Sequence, residues 1–135
     1  MQSCMMDNGK ELKTLNSMST KTTVIVKLAV DACHNFPKAA ELFPEVDFLS
    51  ERHRHMFHFT VACKVTHSDR DKEFIMLKRD VLDYLHSTYY RDQTRTHEFG
   101  PRSCEMLGEE ILKAFDAEWV EVWEDYENGA KVEKV

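Results

Sequence analysis

The tripeptide His53-Arg54-His55 opens a run of β-forming residues, H-R-H-M-F-H-F-T-V-A-C-K-V. Side chains of a strand alternate between its faces, so residues two apart point the same way. His53 and His55 therefore share a face with Phe57, Phe59, Val61, Cys63 and Val65, while His58 falls on the other. Two imidazoles at this spacing can grip one metal ion, and imidazole suits zinc. A third imidazole, His34, ends a second strand-like run that starts at Thr22, on the face of Val24, Val26, Leu28, Val30 and Ala32. Antiparallel pairing sets the end of the first run beside the start of the second, and so His34 beside His53 and His55. Three histidines with an open fourth position are the ligand pattern of a catalytic zinc. The plainer alternative for H-x-H on a strand is a pair of half-buried histidines without a metal. The third histidine at the neighbouring strand end favours the metal.

The elements that must position these residues follow from period and punctuation. Residues 1–20 are polar without periodicity and read as a disordered tail, leaving one domain over residues 21–135. Strands are expected at 22–34 and 53–67, separated by a loop with Pro37 and Pro44 and a short helical turn at Lys38 to Leu42. After the turn cluster Ser68-Asp69-Arg70-Asp71, Leu77, Val81 and Leu85 recur every four residues, which predicts a helix from about Glu73 to Tyr89. Residues 91–100 are polar and end at the breaker Gly100-Pro101. Ser103 is a suitable N-cap for a second helix with Leu107, Ile111, Ala114 and Phe115 as its apolar stripe. Trp119 to Asp125 alternates as a strand, Asn128-Gly129 carries a hairpin-turn signal, and Ala130 to Val135 is the expected returning strand. The order β-β-α-α-β-β gives an α+β domain with an antiparallel sheet and two helices packed on one face.

Charge and composition exclude several classes. The net charge of −6, with no Lys/Arg stripe, argues against a duplex nucleic-acid partner. No apolar run approaches the roughly 18 residues needed to span a bilayer, and the polar N-terminus lacks the core of a signal peptide. A cytoplasmic protein with no membrane association is expected. Cys4, Cys33, Cys63 and Cys104 show no C-x-x-C spacing and read as reduced thiols, with Cys33 and Cys63 in packing roles.

His34, the H-R-H-M-F segment, a helix pair, P-R-S-C-E (Pro101 to Glu105) and V-E-V-W-E (Val120 to Glu124) together resemble the 6-pyruvoyl-tetrahydropterin and 6-carboxy-tetrahydropterin synthase family. The resemblance runs from about Thr22 to Lys134. It implies the tunnelling fold, assembled as a hexamer of two trimers. It implies Zn2+ held by His34, His53 and His55. It also implies a pterin-anchoring carboxylate at Glu124, and substrate contacts from Ser103 and Glu105, which match the family's P-T-x-E. The activity implied is that of a lyase acting on 7,8-dihydroneopterin triphosphate or a related pterin.

The chain departs from the family pattern in several places, among them Phe74-Ile75-Met76-Leu77, which lacks the aspartate of the family's D-F pattern. Leu49 stands where the family has its catalytic cysteine, and Arg54 replaces the glycine of H-G-H. The family's D-H-x-x-L-N segment has no clean counterpart; His86 and Asp92 are the nearest candidates for its catalytic pair, with Tyr90 near the histidine's place and His97 close by. Asp47 and Glu51 are further candidate bases. The alternative is a catalytically inactive pterin- or purine-binding protein that keeps the metal site. A purely structural oligomeric domain, stapled by zinc at its strand ends, is the third possibility.

Overall fold

A computed structural model describes residues 19–135, so the tail expected at 1–20 lies, but for its last two residues, outside the described part. Strands β1 (Thr23–His34) and β2 (His53–Lys64) form an antiparallel ladder that runs from Thr23 opposite Lys64 to His34 opposite His53. The register follows from the pleat. Val26, Leu28, Val30 and Ala32 face the core from β1, and Phe57, Phe59, Val61 and Cys63 from β2. A slip of one residue would turn both sets toward solvent. The same alternation, carried to the strand ends, places His34, His53 and His55 on the core-side face.

Between the two strands lie a four-residue helix, α1 (Ala39–Leu42), and a 3-10 segment over Pro44–Ser50. After β2 come α2 (Phe74–Tyr89) and α3 (Cys104–Ala114). Helix α2 buries Leu77, Val81, Leu85 and Tyr89, and α3 buries Leu107 and Ile111, all within one apolar cluster on the core-side face of the sheet. The Ser103 side chain caps α3 by accepting the Met106 N–H at 3.1 Å. Strands β5 (Trp119–Glu124) and β6 (Asn128–Glu133) extend the sheet beyond β2, with Glu124 opposite Phe57.

Two expectations are corrected. The sheet is mixed, not purely antiparallel, and the element order is not simply β-β-α-α-β-β. Residues read as a polar break contain β3 (Tyr90–Arg91) and β4 (Thr96–Gly100), and β4 runs parallel to β1. The six strands lie in the order β3-β4-β1-β2-β5-β6. Strand β4 shows no alternation because it is held by its neighbour: Thr96 Oγ1 donates to the Asp31 carbonyl at 2.9 Å, and the register shifts between Cys33 and His34. Only Phe99 buries a large apolar side chain there.

The second correction is the hairpin. The β5–β6 turn is Glu124 to Glu127, closed by the Glu127 N–H on the Glu124 carbonyl at 2.9 Å. Asp125 and Tyr126 both occupy the left-handed region, at φ 55 and 59, the requirement of a type I′ turn. Asn128 and Gly129 are strand residues. Gly129 is needed for a different reason: a Cβ there would lie 2.4 Å from the Val122 carbonyl oxygen and 2.7 Å from Trp123 Cδ2. Backbone cannot rotate away as a side chain can, so Gly129→Ala is expected to destabilise the fold by about 1–3 kcal/mol, read as a lowered urea midpoint. An unchanged midpoint would show that the hairpin relaxes freely.

Among the described residues no helix is long and apolar enough to cross a membrane.

Candidate metal centre

One ring nitrogen from each of His34, His53 and His55 lies within 4.8 Å of the others. The rings pack edge to face, with centroids 4.6 Å apart for His34 and His53 and 5.0 Å for His53 and His55. His34 is buried and its ring also stands against Phe57 at 5.0 Å, which fixes its place. His53 and His55 are half-buried.

Each ring has its Nδ1 hydrogen committed. His34 Nδ1–H donates to the Arg102 carbonyl at 2.8 Å, His53 Nδ1–H to the Glu51 carbonyl at 2.8 Å, and His55 Nδ1–H to the Asp125 carboxylate at 2.7 Å. A carbonyl or carboxylate oxygen only accepts, so the hydrogen must sit on Nδ1. With its hydrogen on Nδ1, each ring can offer its Nε2 lone pair to a metal. Outer partners of this kind fix the tautomer and raise the basicity of metal-binding histidines.

Glu124 lies beside two of the three rings. Its carboxylate is 3.1 Å from His34 Nε2 and 3.4 Å from His55 Nε2. Lone pairs facing a carboxylate are repulsive unless a cation sits among them or the rings carry a second proton. The donor set of three imidazoles and a carboxylate fits zinc.

Without metal the proton takes the cation's part. Burial alone would lower the His34 pKa, but its hydrogen bonds to Glu124 and to the Arg102 carbonyl outweigh that and raise it above the ordinary 6.5. Burial likewise opposes the Glu124 charge, yet the His34 bond holds Glu124 below its ordinary 4.5. The raised His34 stabilises the fold fully below about pH 6.5 and less as pH rises through its folded value; the lowered Glu124 stabilises it above about pH 4.5 and less as pH falls through its own. The pair therefore contributes most between those two values. A metal held by the three rings would compete with that proton, so its stabilisation would grow as pH rises. Urea midpoints with zinc and with chelator are expected to diverge as pH rises towards the folded His34 value, which lies above 6.5, and to run parallel beyond it; a gap that stays constant at every pH would contradict the pairing.

The strand ends carrying the histidines are clamped from outside. Arg54 forms a bidentate pair with Asp31 of β1, its Nε 2.6 Å from Oδ1. Arg52 does the same with Glu98 of β4, its Nε 2.9 Å from Oε1. Arg54 thus points away from the histidines it separates, consistent with strand alternation.

A cavity of about 470 Å³ opens beside the cluster. Its lining includes the polar side chains of His34, His53, Glu124 and Cys104 and the apolar side chains of Phe36, Phe43 and Leu49. Ser103 and Glu105 also line it, so the structure brings the metal and binding candidates to one place. His86 and Asp92 lie elsewhere in the chain. His86 is exposed on α2, stacked on Tyr90 with centroids 4.4 Å apart and 5.9 Å from His97, and Asp92 is exposed between β3 and β4. His97 donates from Nδ1 to the Asp31 carbonyl, and burial lowers its pKa. Asp47 is exposed in the 3-10 segment, and Glu51 serves the site through its carbonyl.

No protein-family model matches the chain, and no curated protein matches it in sequence. The functional reading rests on the site itself.

Sequence reasoning missed two side chains. Asp125 binds both His55 Nδ1–H and, at 2.9 Å, the Met56 N–H from its left-handed turn position. Backbone strain of this kind persists where surrounding bonds over-determine it. The signal was available in register: with Glu124 opposite Phe57, the next residue reaches Met56 and His55. Asp125→Ala is expected to weaken metal binding about 10- to 100-fold, measured by chelator competition; unchanged affinity would remove Asp125 from the site. The other is Cys104, whose Sγ lies 3.6 Å from Glu124 Oε2. Burial first, then the Glu124 charge, pushes its thiol up to about 12, so in the metal-free protein it stays protonated and unreactive at neutral pH.

Proposed function

We propose that the chain is a zinc-dependent, tunnelling-fold protein of the tetrahydropterin synthase type, acting in the cytoplasm on 7,8-dihydroneopterin triphosphate or a related pterin. The observation that carries this reading is the cluster of three Nδ1-anchored imidazoles, beside a carboxylate, at an aromatic-lined cavity. His34, His53 and His55 hold the zinc, which when bound supplies Lewis-acid polarisation of substrate hydroxyls. The apolar lining of Phe36, Phe43 and Leu49 suits the faces of a flat heterocycle. The Glu124 carboxylate suits its paired N–H edge, accepting two parallel bonds as it would from a guanidinium. Ser103 and Glu105 border the same space. The proton-transfer role belongs with His86 and Asp92 only if another copy of the chain, or a moved loop, brings them to a cavity. Assembly as a hexamer would allow that. It is supported by a second sheet face that, among the described residues, neither α2 nor α3 covers with its buried side chains, and that exposes Ile25 and Met56.

A second reading, a pterin- or purine-binding protein without turnover, is favoured by Leu49. This residue lines the cavity where the family resemblance calls for a thiol. Incubating the zinc-loaded protein with 7,8-dihydroneopterin triphosphate separates the two. Triphosphate release or pterin side-chain cleavage establishes the enzyme, saturable pterin binding without product establishes the binder, and neither would overturn the proposal.

A further inference from the structure

Glu124 has been given one task, holding the flat ligand, but its carboxylate does not point into empty cavity. It lies 3.1 Å from His34 Nε2 and 3.4 Å from His55 Nε2, with Cys104 Sγ at 3.6 Å. Among the described residues it has no Lys or Arg ion-pair partner. Donor atoms at adjacent corners of a tetrahedral zinc site, with bonds of about 2.0–2.1 Å, stand about 3.4 Å apart. The Glu124 oxygens therefore lie from two of the imidazoles at close to the separation of fellow ligands. With both Nδ1 hydrogens committed, His34 and His55 can face a carboxylate this closely around a shared cation.

Resting on the metal reading above, we propose that Glu124 is the fourth zinc ligand of the ligand-free protein and closes the metal until the cavity is filled. One carboxylate cannot ligate the metal and accept two N–H bonds from a heterocycle edge at once. A bound ligand with such an edge draws Glu124 off and frees a coordination position in the same movement. Between turnovers the metal is shielded from adventitious anions. A three-histidine site becomes closed at rest and open on binding, where zinc sites otherwise divide into closed structural and open catalytic types.

The full chain loaded with Co2+ tests this, because the visible bands of Co2+ report its coordination. In the wild type, excess azide is expected to leave the bands unchanged, while 7,8-dihydroneopterin shifts them. In Glu124→Ala, azide is expected to shift them in a saturable titration. Glu124→Gln provides a near-isosteric second variant with the same expected azide sensitivity. Wild-type bands that respond to azide as strongly as those of either variant would overturn the inference while leaving the three-histidine site standing. Absence of Co2+ bands in the wild type, or bands that survive His53→Ala, would overturn the metal reading and this inference with it.

Discussion

His53→Ala is expected to abolish stoichiometric zinc while leaving the metal-free fold intact. His53 is the suitable ligand to remove because it is half-buried at the first position of β2, with its Nδ1 tied only to the nearby Glu51 carbonyl. His34 would be a poorer choice. It is buried and packs against Phe57, so its loss would also open a hole in the core. Removing an outer hydrogen-bond partner of a ligand costs about 10- to 100-fold in metal affinity. Removing the ligand itself should exceed that, a loss on the order of 100-fold or more. Chelator competition gives the affinity, and urea unfolding of the metal-free proteins checks that the fold is unchanged. Wild-type zinc affinity in His53→Ala would mean that the cluster is one buried and two half-buried histidines and nothing more.

Glu124→Gln at saturating zinc is the second large effect. The substitution keeps the volume but puts an N–H where one of the two accepting oxygens faced the ligand. Hydrogen bonds to a charged group contribute about 1.5–3 kcal/mol, so 7,8-dihydroneopterin affinity is expected to fall about 10- to 100-fold. Titration calorimetry on the zinc-saturated proteins reads this directly. Equal affinity in the two proteins would remove Glu124 from the binding edge and favour a purely structural metal site.

How much of this was legible in the residues depends on the range over which each pattern is written. The β1 and β2 pairing is encoded locally, by period-two burial through Val26, Leu28 and Val30 against Phe57, Phe59 and Val61. The three histidines are extensions of that pattern to the strand ends, so their convergence followed from the letters. Helices α2 and α3 were readable from the four-residue spacing of Leu77, Val81 and Leu85 and from the Ser103 cap. Strand β4 was not, because Thr96 to Gly100 buries only Thr96 and Phe99 and is held by long-range bonds to Asp31 and its neighbours. The hairpin misled because Asn128-Gly129 meets a packing need against Trp123, whereas the true turn sets beside Asp125 a tyrosine, Tyr126, in a left-handed conformation that a bulky residue seldom adopts. Asp125 was hidden by the same fact. Its role is set by the β2–β5 register and its turn geometry, neither of which a reading of single residues reaches.

The account stands or falls on the metal. Zinc-edge X-ray absorption of the purified full-length chain tests it most directly. The expected result is one zinc per chain, bound by three imidazole nitrogens and one oxygen. Absence of zinc, or a first shell containing sulfur or fewer than three imidazoles, would contradict the account.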